Sequence, residues 1–214
     1  MSHLGALQGL SELLHLDQLA HGSLCDDAQC TTLRRYASMT LTNLTFGHGP
    51  NKTLLCSTRP LLAVLSHQLA SPNDDLRQVT ASVLRNLSWR ADSASKDALQ
   101  QTNVVQSLIT MSMETHREST LKSMLSALWN LSSHSSCNKA TICATPGSLE
   151  FLVRTLTYKS ESKTLSIVES GGGIVRNISS HIATRDDYRA TLRRHGCFQI
   201  LLHHLRSPSL TVVS

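Results

Sequence analysis

Four short segments of this chain are versions of one another, and that repetition constrains the fold more than any other feature. They are Leu41-Thr42-Asn43-Leu44-Thr45, Leu84-Arg85-Asn86-Leu87-Ser88, Leu128-Trp129-Asn130-Leu131-Ser132 and Val175-Arg176-Asn177-Ile178-Ser179. Their asparagines lie 43, 44 and 47 residues apart. A unit recurring at such a spacing is a supersecondary block that cannot bury its apolar face alone, so neighbouring blocks must stack and bury it jointly.

Around each asparagine the apolar residues step by three and four, as in Leu76, Val79, Val83, Leu84 and Leu87, or Leu121, Met124, Leu125, Leu128 and Leu131. Such spacing is one stripe of a helix. A shorter apolar segment precedes each of these helices: Leu4 to Leu16, Leu61 to Leu69, Val104 to Met113 and Leu149 to Leu156, with Phe198 to Leu205 opening the last unit. Polar turn stretches separate the units at Gly47 to Asn51, Arg90 to Ser95 and His134 to Asn138. Short helices are predicted to follow at Lys52 to Cys56, Lys96 to Gln101 and Lys139 to Ala144. A short, a medium and a long helix per unit, at this period, is the pattern of armadillo and HEAT arrays. The predicted fold class is therefore all-α, a right-handed armadillo-repeat superhelix (α-solenoid) of about four repeats. One domain covers 1–214, with units at approximately 1–46, 47–90, 91–133 and 134–181 and an incomplete one at 182–214. The first unit lacks a short helix and the last breaks off early in its long helix. The reading thus expects a fragment truncated at both ends, whose terminal apolar surface flanking sequence would cover.

Composition narrows the function. With 40% apolar and 16% charged residues the chain is globular, and 214 residues bury a core without disulfides or metals. Its longest apolar runs fall far short of the roughly 20 residues that span a bilayer, so no direct membrane insertion is expected. Met1 to Leu10 lacks the basic start and apolar run of a signal peptide, which points to the cytoplasm or nucleus. The six cysteines include no C-x-x-C pair and no regular framework, as expected of reduced structural thiols. A net charge of +5 favours acidic partners, but the basic residues form no long run and no nucleic-acid partner is expected.

Positions four before, one before and three after each asparagine share its helix face. They give Met39, Thr42, Asn43 and Phe46; Ser82, Arg85, Asn86 and Trp89; Ser126, Trp129, Asn130 and Ser133; and Gly173, Arg176, Asn177 and Ser180. Stacked, this stripe becomes one wall of a continuous groove. An asparagine offers both a donor and an acceptor, the combination that holds the backbone of an extended peptide. Phe46, Trp89 and Trp129 supply rigid contact area, and Arg85 and Arg176 supply forks for carboxylates. The asparagines also fit a purely structural use, crosslinking neighbouring helices through amide hydrogen bonds, and the two uses can coexist. Lys52, Lys96 and Lys139, nine or ten residues past their asparagines, add a positive rim.

Longer strings point to a family. Leu33-Arg34-Arg35-Tyr36-Ala37, Leu41 through Gly47, Ala81 through Asp92, Glu118 through Ser123, Ala127 through Ser132 and Glu169-Ser170-Gly171-Gly172-Gly173 closely resemble the armadillo domain of the adenomatous polyposis coli proteins, over nearly the whole chain. The resemblance implies a non-enzymatic scaffold of the Wnt pathway that promotes β-catenin destruction and serves the cytoskeleton and cell migration. It also implies groove partners such as Rho-family exchange factors, a kinesin-associated protein and a membrane-recruitment protein. The family's groove contacts fall on Asn43, Phe46, Lys52, Arg85, Asn86, Trp89, Trp129 and Asn130. Ser38 and His48, flanking the first groove site, and Asn73 to Asp75, read as a loop, depart from the family pattern. β-Catenin-binding repeats and a basic microtubule-binding region lie outside such a domain and have no counterpart here.

Other signals carry less. Five N-x-[ST] matches, at Asn43, Asn51, Asn86, Asn130 and Asn177, are read as incidental, four of them inside predicted helices. Gly171-Gly172-Gly173 lacks the Gly-Lys-Ser/Thr ending of a phosphate loop and is read as a bend or a close approach. No cofactor or metal site is expected, since the histidines show no ligand spacing, and no triad or nucleophile elbow supports catalysis. The rival reading is a nuclear-transport-type armadillo receptor for basic signals, which Arg85 and Arg176 would repel.

Overall fold

The computed structural model describes residues 2–206, and among them it contains thirteen α-helices and no strand. Residues 207–214, where the last unit's long helix is expected to begin, lie outside the described residues. The chain opens with α1 (Ser2–His21) and α2 (Ala28–Thr45). Three triplets follow, each a short, a medium and a long helix: α3 (Gly49–Ser57), α4 (Arg59–Gln68) and α5 (Asp74–Ser88); α6 (Ser93–Gln101), α7 (Val104–Glu114) and α8 (Glu118–Ser132); α9 (Ser136–Ala144), α10 (Ser148–Thr155) and α11 (Ser166–Ala183). α12 (Asp186–Arg194) and α13 (Cys197–His204) end the described chain.

The long helices α2, α5, α8 and α11 pack side by side in chain order, and α1, α4, α7 and α10 form a second row behind them. Between the rows lies a continuous core. Leu61 and Leu65 of α4, Leu84 and Leu87 of α5, Leu108 of α7, Leu125 and Leu128 of α8 and Ile174 and Ile178 of α11 are all buried in it. Each such side chain contributes about 1.5–3 kcal/mol. No described helix is long and apolar enough to cross a membrane.

The short helices begin three residues before the sequence-based starts, at Gly49, Ser93 and Ser136. Polar residues that read as turn are in fact caps and first turns. His48 accepts from the Asn51 N–H (3.2 Å), Asp92 from Ser95 (2.7 Å) and Ser135 from Asn138 (3.3 Å). Asn73 likewise caps α5 by accepting from the Leu76 N–H at 2.9 Å, so Asp74 and Asp75 stand in a helix's first turn, not in a loop. There they complement its positive end. All five N-x-[ST] asparagines are helical, including Asn51 in α3.

The first three long helices end in the same way. Phe46, Trp89 and Ser133 are extended, and Gly47, Arg90 and His134 follow at φ of 67°, 54° and 56°. Glycine takes that backbone freely, whereas Arg90 and His134 hold it at about 1–3 kcal/mol each. The turn swings Phe46 and Trp89 out of the core, where they are 79% and 56% exposed. The glycine run is a close approach. A Cβ on Gly171 would lie 2.0 Å from Thr155 Oγ1, and one on Gly173 would lie 2.2 Å from Trp129 Cε2.

Candidate functional site

The repeated asparagines sit near the C-terminal ends of the long helices, beside the preceding helix's last turn. The carbonyls there, Thr42 O and Trp129 O, already accept a bond from their own helix end and take a further one from the next helix. Asn86 Nδ2 donates to Thr42 O (3.0 Å) and Thr45 Oγ1 (3.4 Å), and Asn130 Nδ2 to Ser88 Oγ (3.1 Å). Asn177 Nδ2 donates to Trp129 O (3.1 Å) and Ser132 Oγ (2.9 Å). Asn43 is exposed and makes no such bond among the described residues. These bonds are the crosslinking use of the amides: Nδ2 makes two of them at Asn86 and at Asn177 and one at Asn130, which keeps a second N–H, and the three Oδ1 oxygens accept no bond from the described residues.

Phe46, Lys52, Arg85, Asn86 and Trp89 meet, with Thr45, Gly47 and Ser126, around a recess of about 300 Å³. These residues come from α2, α3, α5 and α8 and the turns that end the first and third of these. Arg85 and Arg176 form no ion pair or side-chain hydrogen bond among the described residues, so their charges are available to a ligand. The Arg90 guanidinium lies 5.7 Å from the Trp89 ring centroid and adds positive potential beside the recess.

The lysines behave differently from a free rim. Lys52 Nζ donates to Trp89 O and Lys96 Nζ to Ser133 O, each at 2.6 Å. Each ammonium thus sits on the negative end of its own unit's long helix. Burial holds the Lys96 ammonium below its usual range. Lys139 has no corresponding bond among the described residues. Residue type and spacing carry the lysine signal, but its target lies 37 residues further on in both cases and is invisible to local patterning.

Trp129 is 38% exposed and stands against Gly173 of α11, which leaves its indole room that any side chain would take. Asn177, four residues on, bonds the Trp129 carbonyl, so the two share one patch. Asn130 lies one rung back beside Ser88. Two residues assigned to the flank of the first groove site are elsewhere. Ser38 is fully buried and donates to Gln68 Oε1 at 3.4 Å, and His48 is the α3 cap.

This architecture defines the class: an all-α armadillo solenoid. Computationally designed armadillo repeat proteins for modular peptide recognition superpose with a TM-score of 0.72, at 17% identity over 92% of this chain and 77% of theirs. A designed armadillo repeat protein in complex with the peptide (KR)4 gives a TM-score of 0.69, at 16% identity over 98% of this chain and 87% of that one. At those identities the likeness is one of fold. No protein-family model matches the chain.

Sequence relatives are more specific. The chain is 57% identical along its whole length to the adenomatous polyposis coli protein of Rattus norvegicus, and 55% identical to adenomatous polyposis coli protein 2 of Homo sapiens. It is 35% identical over 213 residues to the adenomatous polyposis coli protein-related protein 1 of Caenorhabditis elegans. It belongs to the adenomatous polyposis coli family, and spans 8%, 9% and 17% of those three relatives.

Proposed function

We propose that this chain is a non-enzymatic interaction module whose groove holds an extended, partly acidic segment of a partner protein. The carrying observation is the recess in which two exposed aromatics, Phe46 and Trp89, flank the unpaired Arg85 guanidinium. Aromatic faces give contact area at low entropic cost, and a guanidinium beside them pairs with a carboxylate. The Oδ1 oxygens of Asn86, Asn130 and Asn177 supply acceptors for peptide N–H groups along the same line. Asn43, Phe46, Lys52, Arg85, Asn86, Trp89, Trp129, Asn130, Arg176 and Asn177 are the groove residues on this reading, and 1–46, 47–90, 91–133 and 134–181 are its units.

By family, the parent protein would restrain Wnt signalling through β-catenin degradation and act on the cytoskeleton and cell migration, from the cytoplasm or from pools recruited to cytoskeleton or membrane. Its groove partners would be exchange factors, kinesin-associated and membrane-recruitment proteins. β-Catenin and microtubules would be engaged by regions other than these residues.

Trp89→Ala and Arg85→Glu test the groove cleanly, because neither side chain holds the stack together. Each is expected to weaken binding of an acidic extended peptide by at least tenfold while circular dichroism and melting stay unchanged. Equal binding by both variants would refute the reading. Asn86→Ala is a poorer probe, since its bond to Thr42 O makes it destabilising in its own right.

A further inference from the structure

Away from the groove, the corner that joins α1 to α2 gathers metal-binding chemistry that neither the repeat nor the peptide site uses. Asp17 and His21 are one turn apart at the end of α1, and Cys30 stands in the first turn of α2. A carboxylate oxygen, an imidazole nitrogen and the Cys30 sulfur lie within 4.8 Å of one another. Cys25, a free thiol on the connecting loop, stands five residues before Cys30. Cys30 is buried and His21 exposed, so the cluster has one face in the protein and one open to solvent.

The corner is held in place from two sides. Arg34, 1% exposed, donates from Nε to Asp17 Oδ2 (2.5 Å), from NH2 to Gly22 O (2.8 Å) and from NH1 to Ser23 O (3.2 Å). Asp27 caps α2 by accepting from the Gln29 and Cys30 N–H groups. One oxygen of Asp17 is thus fixed by Arg34 and the other accepts no bond from the described residues.

We propose that this corner binds one zinc ion through Asp17, His21, Cys25 and Cys30. Tetrahedral zinc with bonds of about 2.0–2.3 Å sets its ligand atoms roughly 3.3–3.8 Å apart, so the three clustered groups need to close by only about 1 Å. Two sulfurs, a nitrogen and a carboxylate oxygen are a donor set that suits zinc better than magnesium or calcium. On binding, each thiol gives its proton to solvent and its sulfur a bond to the metal, with no change of oxidation state. Local motif reading misses the site because no His-x3–5-His pair follows Cys-x4-Cys, and the ligands converge only when α2 folds back on α1.

Cobalt(II) titration of the reduced, metal-free 214-residue chain tests this. The expected result is one equivalent bound, with the intense d–d bands of tetrahedral cobalt and a thiolate charge-transfer band, both erased by zinc. His21→Ala and Cys25→Ser should each weaken zinc binding at least tenfold, with folding intact by circular dichroism. Cys137→Ser, which alters an exposed thiol elsewhere, should bind as the parent does. Zinc should raise the melting temperature of the parent and not of the two ligand variants. Absence of a tetrahedral spectrum, full affinity in either ligand variant, or thiol counting that finds Cys25 and Cys30 joined as a disulfide under the same conditions would overturn the proposal.

Discussion

The asparagine of the first unit and those of the three that follow are the same residue in the same local sequence, yet they perform different work. Asn86, Asn130 and Asn177 each reach back to the preceding helix of the row α2, α5, α8 and α11, and Asn43, on the first helix of that row, stays exposed and makes no side-chain bond among the described residues. The rung is therefore a stacking device wherever a neighbour exists, and what is left for a ligand is the Oδ1 oxygen and, at Asn130, a second N–H. A repeated residue on a helix face marks a repeated environment, and whether that environment is a joint or a binding surface depends on what lies one unit away.

The tryptophans sharpen the contrast. Trp89 is thrown outward by the extended residue and left-handed Arg90 that end α5, whereas Trp129 lies within α8 against the glycine of the next long helix. One is a free contact surface and the other is partly a joint. Gly173→Val should break the difference most severely. Its side chain would occupy the indole's place, costing about 1–3 kcal/mol and displacing Trp129, read as a lower melting midpoint and a shifted fluorescence maximum. Trp89→Ala, by comparison, should leave the midpoint in place.

Asn177→Ala removes two bonds between α11 and α8 and should cost about 1–2 kcal/mol in chemical denaturation. Asn43→Ala should change stability by no more than about 0.5 kcal/mol. Equal losses at the two positions would mean that the amides do not crosslink the stack. Lys52→Met removes an ammonium from the end of α5 and should cost about 0.3–1 kcal/mol, a loss that shrinks in the parent–variant comparison at high salt.

The smallest effect concerns acid. Backbone N–H groups of Cys30 and Gln29 hold Asp27 below its ordinary 3.8, as the Ser95 N–H does for Asp92 and Arg117 for Asp75. Hydroxyls of Ser160 and Ser162 hold Glu118 below 4.5. All four are depressed in the folded state, so their contributions are present above the unfolded values and are lost as pH falls through the folded ones. Melting temperature should thus decline below about pH 4.5 in steps that Asp75→Asn and Glu118→Gln each reduce.

Much of the fold was legible because helical periodicity and the recurring Leu-x-Asn-Leu segments are local signals that survive in a single sequence. The long helices are centred where their apolar stripes placed them, on residues such as Leu84, Leu87, Leu128 and Leu131. Helix starts were less legible, since His48, Asp92 and Ser135 read equally well as turn residues until their cap bonds are seen. Contacts between helices were not legible at all. Nothing near Gly173 announces Trp129, nothing near Lys52 announces the Trp89 carbonyl, and nothing near His21 announces Cys30. The stripe named Phe46, Arg85, Asn86 and Trp89, which share one surface with the rim lysine Lys52, but their division between joint and contact required the neighbouring helix.

The central claim is that the groove grips an extended segment with acidic side chains, and charge discriminates it most directly. Two peptides of equal length, one alternating glutamate with alanine and one of sequence (KR)4, should be titrated against the chain at low and at physiological salt, following the two tryptophans by fluorescence. Saturable binding of the acidic peptide, weakened by salt and by Arg85→Glu, with no saturable binding of the basic one, is the expected result. Preference for (KR)4, the behaviour of a receptor for basic signals, or no binding of either peptide would contradict it.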